Sequence, residues 1–171
     1  MSDAQPTAVL FSAGLDSAVL AAQEAQHGPV WPLYVSVGLA GEAAERATAA
    51  RLLATEPYRA QVKPLSTLTF TMADIYPSSH WAIRGVPPAY DTPDEDVYLI
   101  RRNLVLLTKA GAWCAANKVP RVVLGPLAGN PFPDATPQFF VAMSKALSLG
   151  LAHDVHIGGT CGSARRANRP A

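Results

Sequence analysis

The sequence is short of charge, of cysteine and of long apolar runs. Charged residues make up 16% of the chain and the formal net charge is +1, so we expect no basic surface for nucleic acid or for an anionic membrane. The two cysteines, Cys114 and Cys161, lie too far apart for a C-x-x-C metal motif, and Cys114 stands in an apolar helical context that predicts a buried thiol. No apolar run approaches the roughly 18–20 residues that span a bilayer, and the first residues carry no basic signal segment. These absences predict a cytoplasmic protein with reduced thiols and with neither a membrane nor a nucleic-acid partner.

The order of apolar segments predicts an α/β fold. Apolar residues make up 49% of the 171 residues, which suits one domain with its own core. Strand patterns alternate with helix patterns, which predicts a parallel sheet of about five strands with helices on both faces. We predict one domain over 1–157 and, because its Gly, Ala and Arg content is typical of disorder, an unfolded tail over 158–171. The expected strands cover 8–11, 30–37, 59–65, 120–125 and 153–157; the expected helices cover 16–27, 41–54, 103–117 and 137–149, the last with Thr136 as N-cap and Gly150 as its end.

The turn after the first strand, Ser12-Ala13-Gly14-Leu15-Asp16-Ser17, allows two interpretations. Its hydroxyls, its small residues and the helix N-terminus behind it suit a phosphate. Alternatively, Asp16 or Ser17 serves only as the N-cap of that helix. The turn is not a Walker A loop, because no Gly-Lys-Ser/Thr follows it. In parallel sheets ligands bind at the carboxyl ends of the strands, and the position of this turn therefore favours phosphate binding.

The segment Ser66–Ile100 interrupts the alternation of strands and helices. It carries several prolines and an acidic cluster over 91–96. Long loops inside compact domains are usually functional or disordered, and we expect a lid or a wall of the site here. The acidic cluster is expected to be a solvated surface, so we assign it no metal.

Three further segments carry a family signature. These are Val97–Asn103, which contains Arg102-Asn103; the strand that ends at Gly125; and Asn130–Phe140, which contains Phe132 and Asp134. Taken in order with the Ser12–Ser17 turn, they resemble 7-cyano-7-deazaguanine synthase, a family of the PP-loop ATP pyrophosphatases. The resemblance covers about residues 7–157.

The resemblance implies an adenine nucleotide alpha hydrolase-like fold and an ATP-dependent carbon–nitrogen ligase of queuosine biosynthesis. Its substrates would be 7-carboxy-7-deazaguanine and ammonia, and an acyl-adenylate would lead to the 7-cyano product. The implied catalytic residues are Asp16, which would orient the loop or Mg²⁺, and Arg102, which would offer a fork to phosphate. Phe132 and Asp134 would line the deazapurine pocket. The implied contacts of ATP are Phe11, Ser12, Ala13, Gly14, Leu15, Asp16, Ser17, Arg102, Asn103 and Gly125.

Other interpretations of these residues stay open. By residue type alone, Arg102 also suits a surface arginine at a helix start, and Asp134 suits a charge in a turn or at a helix N-terminus. The whole chain also suits a different PP-loop adenylating ligase, of the tRNA-modifying or amidotransferase type, or a nucleotide-binding module without enzymatic activity.

The chain departs from the family pattern at three places. Ala13 and Arg101 stand where the family has glycine, and the family's zinc site with four cysteines has no counterpart after Ile157, where only Cys161 follows. We therefore expect a truncated version of the enzyme with weak or absent turnover. The resemblance also implies a homodimer.

Overall fold

A computed structural model describes residues 5–72, 74–86, 89, 92, 99, 102–125 and 132–159. Strands and helices alternate along the described chain, as predicted. The strands and helices have these bounds: β1 Thr7–Leu10, α1 Leu15–Glu24, β2 Val30–Ser36, α2 Glu42–Leu53, β3 Ser66–Thr69, α3 Trp81–Arg84, α4 Arg102–Asn117, β4 Arg121–Leu124, α5 Pro137–Leu151 and β5 His156–Gly159. A 3₁₀ turn at Pro133–Ala135 precedes the last helix.

The strands form one parallel sheet in the order β3-β2-β1-β4-β5. β1 lies at the centre, with Thr7 in register with Val30 of β2 on one side and with Arg121 of β4 on the other. The strand order reverses at β1, because the chain first builds outward through β2 and β3 and then returns to add β4 and β5. The carboxyl end of β1 is therefore the topological switch point, where ligands of such sheets bind. The predicted α/β class is confirmed.

Helices cover both faces of the sheet because successive strand residues point in opposite directions. One face buries Val9 and Val123 under α1 and α2, whereas the other buries Ala8 and Val122 under α4 and α5. Cys114 is fully buried on the α4 side, which confirms the sequence prediction. Burial raises the pKa of its thiol to about 12, so it stays protonated and packs as a small apolar group.

The third strand lies later in the chain than predicted. The prediction placed it at 59–65, but in this range only Val62 forms a bridge, to Val30, and β3 begins at Ser66. The reason is Tyr58, which is buried and donates its hydroxyl to the Ala18 carbonyl at 3.0 Å. The chain forms turns while it brings this ring under α1. Strand β3 therefore occupies the start of the segment that we predicted to be a loop, and the short α3 lies further along it.

The end of the chain differs in two details from the prediction. Thr136 is the N-cap of α5, as predicted, and accepts the Phe139 N–H at 3.2 Å. Gly150 does not end the helix; Leu151 continues it and packs on the core, and Ala152 takes the left-handed cap conformation. Strand β5 extends to Gly159, two residues beyond the predicted domain boundary, and the rest of the predicted tail lies outside the described residues. Within the described ranges, every helix is too short or too polar to cross a membrane.

Candidate functional site

A cavity of about 340 Å³ opens at the carboxyl ends of β1, β2 and β4, at the switch point of the sheet. This volume lies in the range of small-molecule sites. One part of its wall is polar and comes from the turn after β1 and the start of α4. The other part is largely apolar and comes from the strand ends and α4. The lining residues are Leu10, Phe11, Ser12, Gly14, Asp16, Ser17, Leu33, Tyr34, Val35, Arg102, Asn103, Leu106, Leu124 and Gly125.

The turn between β1 and α1 presents backbone N–H groups and hydroxyls to this cavity. Gly14 is the N-cap of α1, and no side chain caps the helix. Asp16 and Ser17 lie inside the first turn instead, so the interpretation of either as the N-cap is wrong. The Ser17 hydroxyl donates to the Gly14 carbonyl at 2.9 Å, and the Ser12 and Ser17 oxygens lie 3.5 Å apart. The first N–H groups of α1 are thus left for a ligand or for water.

Ala13 adopts a left-handed backbone conformation, with φ at 62°. Such a conformation costs an L-residue about 1–2 kcal/mol, whereas glycine adopts it freely. The turn therefore has the shape that a glycine favours, and Ala13 takes it under strain. Ala13 and Leu15 do not line the cavity, and the Leu15 side chain is 80% exposed.

Arg102 faces the same cavity from the first residue of α4. Its Nε atom is buried and has no hydrogen-bond partner. The guanidinium also makes no ion pair with any residue in the described part of the chain. A partly buried cation without a carboxylate partner is costly unless an anion joins it, so this side chain is suited to bind one.

Asn103 and Asp134 hold the start of α4 in place. The Asn103 backbone N–H donates to Asp134 Oδ2 at 3.0 Å, and its side-chain amide donates to the Asp134 carbonyl at 3.1 Å. Asp134 is 7% exposed and sits in the 3₁₀ turn before α5. Its charge stabilises the N-terminus of α4, which carries Arg102. Asp134 thus lies where a charge in a turn or at a helix N-terminus was the alternative interpretation of this residue. Neither Asp134 nor Phe132 lines the cavity.

The acidic residues give no preformed metal cluster in the described ranges. No group of three or more His, Cys, Asp or Glu side chains comes together there. Asp16 is the carboxylate among the lining residues of the cavity. The acidic positions 91, 94, 95 and 96, as well as Arg101 and Cys161, lie outside the described residues.

A comparison with protein-family models matches residues 7–160 to "Queuosine biosynthesis protein QueC". The chain belongs to the QueC family. A comparison with curated proteins finds no match. QueC proteins act in queuosine biosynthesis and are ATP-dependent enzymes of the ligase type, which agrees with the α/β fold. The predicted family is confirmed.

The structure brings together most of the site residues that we predicted for a QueC protein. Eight of them line the one cavity: Phe11, Ser12, Gly14, Asp16, Ser17, Arg102, Asn103 and Gly125. Gly125 has a steric role, because a Cβ atom there would lie 3.4 Å from Asp16 Cβ and would narrow the cavity beside the turn.

Sequence reasoning missed the wall that β2 contributes. Tyr34 lines the cavity, and its hydroxyl donates to Glu45 Oε2 at 2.7 Å. Glu42 accepts hydrogen bonds from the backbone N–H groups that follow β2. The helical pattern of 41–54 indicated only that these glutamates do not share the alanine face. No local signal shows that they reach β2, because this depends on how α2 packs on the sheet.

Proposed function

We propose that the chain converts 7-carboxy-7-deazaguanine and ammonia into 7-cyano-7-deazaguanine at the expense of ATP. The observation that carries this proposal is that one cavity is lined both by a helix N-terminus without a side-chain cap and by Arg102, which forms no ion pair among the described residues. Membership of the QueC family supplies the class of reaction. The volume and the polar lining of the cavity support a phosphate site.

The residues of the turn suit a pyrophosphate group. The N–H groups at the start of α1 and the helix dipole attract an anion. The Ser12 hydroxyl adds a donor, the Ser17 hydroxyl holds the turn by donating to the Gly14 carbonyl, and Gly14 lets a phosphate approach the backbone closely. Arg102, opposite the turn, supplies the positive charge that the turn itself lacks.

The chemistry requires positioning and charge stabilisation rather than a protein nucleophile. A carboxylate oxygen of the substrate attacks the α-phosphorus of ATP, and the bond to the β-phosphate oxygen breaks to release pyrophosphate. Ammonia then displaces AMP from the acyl-adenylate and gives the amide. A second ATP activates the amide oxygen, which leaves with AMP as the nitrile forms. Arg102 stabilises the charge that accumulates on the departing pyrophosphate in both activations.

Asp16 is the residue that we assign to Mg²⁺. Magnesium ions are commonly held by one or two carboxylates together with substrate phosphates and water. A single carboxylate at the start of α1, beside the phosphate turn, fits this pattern. The ion would neutralise phosphate charge, whereas the turn would keep the phosphates in place.

The base would lie at the side of the cavity formed by the start of α4. We assign Phe132 and Asp134 as its neighbours, because Asp134 is bonded to Asn103, which lines the cavity. In this assignment Asn103 supports the first turn of α4, which carries Arg102. A homodimer and a cytoplasmic location remain predictions from the sequence.

The test measures pyrophosphate release from ATP with and without 7-carboxy-7-deazaguanine and ammonium. We expect weak release that depends on the deazaguanine, and the 7-cyano product to appear in mass spectra. Arg102→Ala should reduce this release at least tenfold, because the charge on the leaving group is no longer stabilised. Arg51→Ala is the matched control, since Arg51 is exposed on α2 and does not line the cavity.

Two results would contradict the proposal. Release with another acceptor but not with the deazaguanine would point to a different PP-loop ligase. Binding of ATP without release in the presence of any acceptor would contradict the proposed reaction and would fit an inactive form of the enzyme or a nucleotide-binding module.

A further inference from the structure

Tyr34 connects the cavity to the acidic side of α2. The ring lines the cavity, and the residue as a whole is only 4% exposed. Its hydroxyl donates to Glu45 Oε2 at 2.7 Å. A phenol has one proton to donate, so this bond uses the only donor that Tyr34 has.

Charges of both signs surround the phenol oxygen. Burial raises the pKa of Tyr34 well above its ordinary value, and the hydrogen bond to Glu45 and the negative charges of Glu45 and Glu42 raise it further, whereas the charge of Arg102 opposes them. Tyr34 is therefore neutral at physiological pH. Glu45 contacts this phenol from α2, and Arg102 lines the same cavity as Tyr34.

Among the residues that the structure describes, Glu45 forms no ion pair with an arginine, although Arg46 lies over the Tyr34 ring and Arg102 lines the same cavity. The Arg46 guanidinium lies 5.8 Å from the centre of the Tyr34 ring, stacked over it. Consecutive helix residues do not face each other, which keeps Arg46 away from the Glu45 carboxylate. Arg102 has no ion pair among the described residues either. The Glu45 carboxylate is thus occupied by a neutral donor, and the cavity's own cation stays unpaired.

We propose that Tyr34 is a positioning residue that occupies Glu45 and thereby keeps Arg102 free for the phosphates of the nucleotide. This inference rests on the proposed function, because it concerns the same phosphate site. Without the phenol oxygen, the Glu45 carboxylate loses this donor and becomes available to the Arg102 guanidinium, which lines the same cavity as Tyr34. An ion pair between the two would compete directly with phosphate for the same guanidinium.

The expected effect follows from the fraction of molecules in which Arg102 is free. The apparent dissociation constant rises in inverse proportion to the fraction of binding-competent protein. If the new ion pair leaves Arg102 free in about one molecule in ten, binding of phosphate weakens about tenfold.

The experiment is a double-mutant cycle on Tyr34→Phe and Glu45→Gln, with pyrophosphate and ATP as probes in isothermal titration calorimetry. Tyr34→Phe alone should raise both dissociation constants about tenfold. In the Glu45→Gln background the same substitution should change them less than about twofold, because a neutral amide does not hold the guanidinium. Tyr58→Phe is the matched control. It removes another buried hydroxyl, which is bonded to Ala18 and does not line the cavity, and should lower stability without changing affinity.

The cycle separates this inference from the proposed function. An equal loss of affinity in both Glu45 backgrounds would overturn it, because Tyr34 would then contact the ligand or shape the cavity directly. Unchanged affinity in Tyr34→Phe would also overturn it. If the unaltered chain binds pyrophosphate but forms no nitrile, the proposed reaction fails while the cycle still decides the role of Tyr34. If the unaltered chain binds neither probe, the phosphate site and this inference both fail.

Discussion

The hydrogen bonds of Glu42 lead to a prediction about stability and its dependence on pH. The Glu42 Oε1 atom accepts the backbone N–H groups of Val37, Gly38 and Leu39 at 2.8, 3.0 and 3.1 Å. Its other oxygen accepts the Ser36 hydroxyl. One carboxylate therefore orders the whole turn between β2 and α2. Glu42→Ala removes all four bonds at once.

The cost of Glu42→Ala depends on which donors can reach water. Val37 is 1% exposed, so its N–H is left without a partner, which costs about 1–3 kcal/mol. Gly38 is exposed and regains a bond to water. Ser36 and Leu39 are half-buried, and their weaker replacement bonds add about 1 kcal/mol. We expect Glu42→Ala to lower the free energy of unfolding by about 2–4 kcal/mol. Glu42→Gln keeps an acceptor at Oε1 and should cost about 1 kcal/mol.

The pH dependence follows from the pKa of Glu42. Burial raises this pKa, but the hydrogen bonds from Ser36, Val37, Leu39 and Gly38 together lower it below the ordinary value of 4.5. A carboxyl group whose pKa is lower in the folded state stabilises the fold above its unfolded-state pKa. This stabilisation is lost as the pH falls through the folded-state pKa. The advantage of wild type over Glu42→Gln should therefore be full at pH 7 and should decline below about pH 4.5.

Urea unfolding of wild type, Glu42→Ala and Glu42→Gln at pH 7, 5, 4 and 3 measures both effects. Glu56→Gln serves as the control for the loss of one carboxylate, because Glu56 is exposed. A loss of less than about 0.5 kcal/mol in Glu42→Ala, well under one buried hydrogen bond, would refute the reasoning. So would a difference between wild type and Glu42→Gln that stays constant from pH 7 to pH 3.

Three further predictions concern stability, each measured by urea or thermal unfolding. Ala13→Gly relieves the left-handed backbone strain. Glycine also raises the conformational entropy of the unfolded chain, so the net stabilisation should be about 0.5–1 kcal/mol. Any destabilisation would contradict this prediction. Glu24→Ala leaves Arg121 without its carboxylate partner and should lower the free energy of unfolding by about 2 kcal/mol. This is less than the loss of a partner in a fully buried ion pair, because the Arg121 side chain is 31% exposed. Glu24→Gln should recover part of the loss. Gly111→Ala places a methyl group 2.7 Å from Leu147 Cδ1 and should destabilise by about 1 kcal/mol, as overpacking outweighs helix propensity. In a Leu147→Ala background the same substitution should become stabilising, and an unchanged sign would show that this contact is not the cause.

Local patterns predicted the elements whose signals lie within a few residues. The apolar runs before Ser12 and before Gly125 are buried on both faces, so they are recognisable as central parallel strands. Thr136-Pro137 was recognisable as a helix start because capping depends on neighbouring residues. The prediction of β3 failed because the chain after α2 is shaped by Tyr58, whose hydroxyl bonds to a residue 40 positions away. Local propensity carries no information about such a contact.

The sequence by itself determined the family, the α/β class and the position of the turn after β1, because these follow from short motifs and their order. Only the tertiary structure decided how the site is assembled. It brought Arg102 into the cavity that the turn lines, with no ion pair to any described residue, engaged Asp134 at the start of α4, and placed Glu45 on Tyr34. These arrangements depend on how each helix packs on its own face of the sheet. The position of each helix is set by packing between residues that lie far apart in the chain, and no single motif encodes such packing.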